Sequence, residues 1–255
     1  MTPDDRQERI AQHVLAHGTA SAQELAVLFG VSAMTIHRDL DELERRGIVR
    51  KYRGGVTAQP SGVFESNVAY RHKAMRVQKR AIARHATGHL EAGMSVLLDD
   101  STTTYQMVEQ LCPPLKVATN FLPAMRRLTD IRDIELIALG GDYDRQHDSF
   151  LGVMCVEAIE SLHTDAVFLS TSAVTGAHAY HQEQHIVTVK RAMVNAADRR
   201  YLLVDHSKLG RRALHRLVAT NDFDLVIVDS GASPEALADL DQHNVTYEVA
   251  DEHED

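Results

Sequence analysis

Cysteine is scarce: Cys112 and Cys155 are the only two in 255 residues. Two thiols supply neither a disulfide framework nor a Cys-x-x-Cys metal knuckle. Both are expected to be small buried hydrophobes in a reducing, cytoplasmic compartment. Long apolar runs are missing as well. Stretches such as Val96-Leu97-Leu98 fall far short of a bilayer span, so no membrane partner is expected. The start, Met1-Thr2-Pro3-Asp4-Asp5, lacks the basic and apolar regions of a secretory signal. Nor is there an excess of positive charge. Twenty-seven Lys and Arg against 36 Asp and Glu give −9, which argues against a general polyanion binder. What is present, 44% hydrophobic and 25% charged residues, is the make-up of a soluble globular protein. It excludes a wholly disordered chain and a coiled-coil rod. The length suits one large domain, or a small one plus a medium one.

The charge is unevenly placed. Residues 1–57 hold eight basic and eight acidic residues and are neutral, so residues 58–255 carry the whole deficit. Within the neutral segment, Arg45, Arg46, Arg50, Lys51 and Arg53 crowd into nine positions. Such a stripe suits nucleic-acid binding on one surface, or is simply a solvated charged face.

Local patterns separate these readings. Glu8–His17 has helical spacing, with Ile10, Val14 and Leu15 on one side and Gly18 as its stop. Ser21-Ala22-Gln23-Glu24 is a capping box opening a short helix with Leu25, Leu28 and Phe29 inward, closed by Gly30. Ser32 caps a further helix over 33–46, stopped by Gly47. Two helices joined by about three residues containing Gly have the spacing of a helix-turn-helix. The stretch Ile48 to Val56, with Gly54-Gly55 at its turn, reads as a β-hairpin wing.

On the second helix of the pair, Ile36, Leu40 and Leu43 fall on one face. Met34, Thr35, Arg38, Asp41 and Arg45 point the other way, with His37 at the margin. A recognition helix presents short, donor-rich, uncharged or basic side chains in its first turns, where base edges are met. Arg38 suits a guanine edge or a phosphate, Ser32 and Thr35 suit phosphate, and His37 suits either. Arg50, Lys51 and Arg53 suit backbone clamping through counterion release. The alternative is an inert polar face on which Asp39 or Asp41 neutralises Arg38.

Residues 58–66 contain Pro, Gly and Ser and are expected to be a linker between a DNA-binding domain (1–57) and a second domain (67–255). A long helix is expected over 67–90, ending at Gly93. Strands are expected over 95–99, 116–119, 135–139, 166–170, 201–205, 225–229 and 246–249. Helices over 104–111, 122–128, 153–162, 186–197 and 234–240 fit between most of them. This alternation predicts a mostly parallel sheet covered on both faces.

The apparent chemistry of the second domain lies at strand ends. Asp99-Asp100-Ser101-Thr102-Thr103-Thr104 puts four consecutive hydroxyls at a strand-to-helix turn. Such a turn suits phosphate at the ligand-binding end of a parallel sheet, or is a helix cap with surplus hydroxyls. Further loops carry Thr119-Asn120, Leu139-Gly140-Gly141, Ser170-Thr171-Ser172-Ala173 and Asp205-His206-Ser207-Lys208, and a helix carries Lys190-Arg191-Ala192-Met193. In His181-Gln182-Glu183-Gln184-His185, the two histidines would share a helical face. The metalloprotease order His-Glu-x-x-His is absent, so no metal site is expected there.

Ser32…Thr35-Ile36-His37-Arg38-Asp39-Leu40, then Leu43-Glu44-Arg45-Arg46-Gly47 and a basic stretch ending in Gly54-Gly55, resembles the DeoR family of bacterial transcriptional regulators. The family usually has Arg at position 37 and His at position 53. The later loops resemble the family's sensor domain, with Ser101 where Gly is common. The resemblance implies an N-terminal winged helix-turn-helix and a C-terminal α/β domain like those of pentose-phosphate isomerases and CoA transferases. It implies a phosphorylated sugar as effector, held by Asp100, Ser101–Thr104, Gly141 and Ser172. Lys190 and Lys208 would neutralise charge, and Asn120 and Asp205 would bond to hydroxyls. His181 and Glu183 are expected to reach sugar hydroxyls, or else to be surface polar residues. The expected protein is a repressor of carbohydrate genes: a homo-oligomer, dimer or tetramer, on a double-stranded operator, with no cofactor. The alternative is a sugar-phosphate isomerase with an appended DNA-binding module. Ser170-Thr171-Ser172-Ala173 has no carboxylate to act as its base. A DNA-bending protein would leave the hydroxyl-rich loops unexplained.

Overall fold

A computed structural model describes residues 2–17, 19–45, 48–52, 54–58, 68–112 and 114–251. The chain divides into two compact units, Met1–Ala74 and Met75–Asp255.

The first unit begins with α1 (Pro3–His17), five residues earlier than the apolar spacing suggests. Thr2 supplies the reason. Its hydroxyl accepts the Asp5 N–H (3.2 Å) while Asp5 accepts from the Thr2 N–H (3.2 Å), a reciprocal cap ahead of Pro3. Strand β1 (Thr19–Ser21), absent from the expected elements, leads into α2 (Ala22–Phe29). The Ser21–Glu24 capping box is formed, and Gly30 ends α2 in the left-handed conformation (φ 64°). Leu25 is fully buried and Phe29 packs at the core edge, but Leu28 is 56% exposed rather than inward. It lies one helical step off the stripe formed by Ala22 and Leu25. Helix α3 (Ala33–Arg45) follows, then β2 (Val49–Tyr52) and β3 (Gly55–Ala58). The strands form an antiparallel sheet in the order β1-β3-β2. Ile36, Leu40 and Leu43 of α3 enter a core with Ile10, Val14, Leu25 and Val56.

Thr57 and Ala58 pair with Arg50 and Val49, so the wing extends into the segment expected as linker. Residues 59–66 of that linker, and Gly18, Arg46, Gly47 and Arg53, lie outside the described residues. The single helix expected over 67–90 is instead two, α4 (Val68–Lys73) and α5 (Arg76–Thr87). Met75 sits between them at φ 54°, which an α-helix cannot accommodate. The division between units falls at this break, eight residues later than the boundary expected at 66/67.

The second unit is built on a seven-stranded, wholly parallel sheet. Its strands are β4 (Ser95–Leu98), β5 (Leu115–Thr119), β6 (Ile134–Ala138), β9 (Thr164–Leu169), β12 (Ala197–Val204), β14 (Leu225–Asp229) and β15 (Tyr247–Ala250). They lie in the order β15-β14-β12-β9-β4-β5-β6. All seven expected strands are in it. Consecutive residues Val96, Leu97 and Leu98 are all buried, as are 166–169, which requires cover on both faces. Helices α6 (Thr102–Val108), α7 (Leu122–Leu128), α8 (Gly152–Glu160), α9 (Gln184–Asn195) and α10 (Pro234–Gln242) fill the connections. Leu97, Val167, Leu202 and Val226 share a core with Ile159 of α8 and Met193 of α9.

Two small sheets escaped the sequence patterns. One is the hairpin β7 (Asp142–Asp144) and β8 (Ser149–Leu151). The other orders β10 (Ala173–Val174), β11 (His178–His181) and β13 (His215–Ala219) antiparallel. Cys155 is buried, whereas Cys112 is exposed on the loop after α6, contrary to the expectation for it. Among the described residues, no helix is long and apolar enough to cross a membrane.

Candidate functional site

The outward face of α3 is set by how its inner face is fastened. Asp39, only 3% exposed, points inward and accepts from Arg6 Nε (2.6 Å), Arg6 Nη2 (3.2 Å) and Gln7 Nε2 (3.0 Å) of α1. It therefore does not neutralise Arg38. Asp41 is taken by the Lys51 ammonium of the wing. Met34, His37 and Arg38 are exposed, and Arg38 makes no ion pair among the described residues. Ser32 caps the helix, accepting the Thr35 N–H (3.2 Å), and its hydroxyl meets that of Thr35 at 2.9 Å. Arg45 is paired with Glu42 (2.6 Å), and Arg50 is exposed on β2. The pairs at Arg45 and Lys51 lie at the surface, where ion pairs are weak and screened, so both cations can be redirected to phosphate.

In the second unit the strand order places a switch point between β4 and β9. The chain leaves β4 towards β5 and β6, then crosses back to β9 on the other side. In open parallel sheets this arrangement leaves a crevice at the carboxyl ends. Asp99 closes its floor. Its Oδ1 accepts from the Ser101 N–H (3.0 Å) and Thr104 Oγ1 (2.8 Å), and its Oδ2 accepts from the Ser170 N–H after β9 (2.9 Å). The Lys190 ammonium reaches across from α9 to Asp99 and to Asp100 (3.1 Å). Burial opposes the charge on Lys190, but the two carboxylates outweigh it and raise its pKa.

The network continues on both sides. Asp100 accepts from Ser149 of β8 (3.1 Å), next to Phe150, whose carbonyl accepts from Asn120 Nδ2 (2.9 Å). On the other flank Lys208 donates to Ser170 Oγ (3.1 Å) and lies 3.6 Å from buried Asp205. Burial pushes the Asp205 carboxyl up, yet Lys208, Lys79 and Ser207 together hold it below its ordinary range. Thus Asp100, Ser101, Thr104, Lys190, Asn120, Lys208 and Asp205 stand in one chain of contacts spanning β5, β4, β9 and β12. Ser172 donates its N–H to the Tyr180 carbonyl of β11 (3.2 Å). His181 is on β11, so it shares no helical face with His185, and its Nδ1 accepts the Glu183 N–H (3.2 Å). Gly141 serves the backbone: at φ 152° a Cβ would lie 2.3 Å from the Leu151 carbonyl.

Two central groups, Asp99 and Lys79, lie outside the site residues expected from the sequence. Asp99 was read only as part of its loop, although it binds four partners. Lys79 of α5 is 4% exposed and donates to Thr102 Oγ1 (3.1 Å). A signal for it existed: Lys79 falls on the stripe of Ile82, Ala83 and Ala86, where a charge is costly without a partner. Among the described residues, the buried Thr103 hydroxyl and Asn120 Oδ1 have no hydrogen-bond partner. Lys79, Lys190 and Lys208 face Asp99, Asp100 and Asp205, so the crevice is internally balanced and its surplus lies in hydroxyl and amide groups.

Two family profiles match the chain. One, described as DeoR-like helix-turn-helix domain, covers residues 6–61; the other, DeoR C terminal sensor domain, covers residues 75–230. The lactose phosphotransferase system repressor of Staphylococcus aureus (strain N315) is 30% identical over 90% of this chain and 93% of its own. The HTH-type transcriptional repressor GlcR of Bacillus subtilis is 28% identical over 100% and 99%. The HTH-type transcriptional regulator IolR of the same organism is 26% identical over 96% and 98%. Among solved structures, ribose 5-phosphate isomerase A from Methanocaldococcus jannaschii aligns over 53% of each chain at 15% identity, with a TM-score of 0.36.

Proposed function

Because the chain belongs to the DeoR family of helix-turn-helix transcriptional regulators, we propose that it represses carbohydrate genes until a phosphorylated sugar occupies its sensor domain. The observation carrying this reading is the crevice between β4 and β9. Hydroxyls of Ser101–Thr104, with Lys79 bonded to Thr102 and Lys208 bonded to Ser170 after β9, stand at the end of the sheet where α/β proteins take ligands. The balanced charges favour a ligand that brings hydroxyls as well as phosphate. Asn120 and Asp205 would take the former and the Thr102–Thr103 segment the latter.

In the DNA-binding unit, Met34, Thr35, His37 and Arg38 would face base edges. Ser32, Arg45, Arg50, Lys51 and Arg53 would hold the backbone. A twofold operator calls for a homo-oligomer acting in the cytoplasm. Ligand control requires unequal affinity of the effector for the DNA-competent and incompetent states. Ser170-Thr171-Ser172-Ala173 offers no carboxylate for proton abstraction, so the crevice is read as a receptor and not as an isomerase centre.

The test pairs two readouts. Fluorescence anisotropy on promoter fragments near the chain's own gene should show salt-sensitive binding, lost in Arg38→Ala. A thermal-shift screen should find a pentose or hexose phosphate that raises the melting temperature and releases the DNA. The Thr102→Val, Thr103→Val variant should bind the fragment normally but ignore that compound. Steady turnover of any sugar phosphate, or induction intact in the Val variant, would refute the reading.

A further inference from the structure

We propose that His147, Glu183 and His185, with Asp144 orienting the His147 ring from behind, form a binding site for a divalent transition-metal ion of the zinc class. Asp144 ends β7 and His147 lies in the turn to β8, while Glu183 precedes α9 and His185 lies in its first turn. The fold thus joins two distant segments. The sequence pattern had paired His185 with His181, which is on β11 instead.

His147 carries the argument. It is 1% exposed, and among the described residues its buried Nε2 has no hydrogen-bond partner, only an ion-pair contact with Glu183 at 3.5 Å. Its Nδ1 lies 3.1 Å from Asp144 Oδ1. With the proton on Nδ1 and shared with that carboxylate, Nε2 presents a bare lone pair. This carboxylate–histidine arrangement is the one that orients an imidazole towards a metal. A buried, unbonded ring nitrogen is costly unless something fills its coordination.

The neighbouring donors converge there. Glu183 Oε1 lies 3.5 Å from His147 Nε2, Glu183 Oε2 lies 3.1 Å from His185 Nε2, and Asp144 Oδ2 lies 3.8 Å from His185 Nε2. Ligand atoms of Asp144, His147 and His185 are all within 4.8 Å of one another. Adjacent ligands of a tetrahedral ion bound at about 2.0–2.1 Å are roughly 3.4 Å apart, so small adjustments complete the shell. Two imidazoles with carboxylate oxygens suit zinc and its neighbours better than calcium or magnesium.

A second His/carboxylate group, His85, His89 and Glu248, gives a contrast. Both rings there already contact one carboxylate oxygen, at 2.5 and 3.2 Å, and neither ring nitrogen in those contacts is a buried orphan. At the first site an ion would fasten hairpin β7–β8, which carries Ser149 and Phe150, to α9, which carries Lys190. Both segments reach the crevice described above, but the proposal stands without any effector.

Titration of the chelator-treated full chain with Co2+ tests it. One equivalent should bind and give the intense visible absorption of a tetrahedral site. His185→Gln, at a half-exposed position, should weaken binding about tenfold or more with no change in the metal-free melting temperature. Asp144→Asn should cost about 10- to 100-fold, and the His85→Gln, His89→Gln pair should change nothing. No tetrahedral absorption, a titration indifferent to His185→Gln, or one abolished by the His85/His89 pair would overturn the assignment.

Discussion

At the scale of single residues, the side chains that decide behaviour are the charged ones placed inside. Asp39 holds α3 to α1 through Arg6 and Gln7. Removing it strands a guanidinium that was built around it, so Asp39→Ala should lower the stability of the first unit by roughly 3 kcal/mol. Chemical denaturation followed by a signal from that unit would measure it; a loss below 1 kcal/mol would mean the pair is solvent-screened. The sequence hid this residue because a helical wheel puts position 39 beside the apolar stripe, and an aspartate there reads as a side chain turned to solvent. Its partner Arg6 lies ahead of the helix as first delimited, so no local pattern joins the two. Lys79 was hidden for a related reason, as one cation among Arg76, Arg80 and Arg84 on a basic helix.

At the scale of elements, period and punctuation carried most of the information. The α2–α3 pair was legible from Ser21-x-x-Glu24, Gly30 and Ser32, each of which caps as its chemistry requires. The sheet strands were legible because strands buried on both faces read as apolar runs. The hairpin β7–β8 and the β10-β11-β13 sheet were not, since strands of two to five residues are too short to show alternation. The break at Met75 was invisible as well, for no Pro or Gly marks it and only the backbone conformation reveals it. The wing makes a prediction at this scale. Arg50 is exposed on β2, beside a Lys51 that is already engaged with Asp41. Arg50→Ala should weaken DNA binding alike on all sequences and reduce the slope of log affinity against log salt by about 1. A loss confined to one base position, with the slope unchanged, would make Arg50 a base reader instead.

For the whole molecule, acid sensitivity follows from the crevice. Asp205 has its folded-state pKa held below the ordinary value by Lys208, Lys79 and Ser207, against the effect of burial. A depressed carboxyl contributes stability that is complete above its unfolded pKa of about 3.9 and is lost as pH falls through the folded value. Lys190 has the opposite sign. Its raised pKa contributes stability that is complete below about 10.4 and disappears as pH climbs past the folded value. The sensor unit should therefore keep a level melting temperature across neutral pH and lose it below about pH 4, by calorimetry. Asp205→Asn should flatten the acid limb; an unaltered limb would place the sensitivity elsewhere.

The attachment of α3 has one more consequence. Its grip on the protein runs through Ile36, Asp39, Leu40 and Leu43, while Met34, His37 and Arg38 are exposed. Mutational drift at those three sites is uncoupled from folding. Substitutions there can change which sequences are read while leaving the fold of the unit as it is.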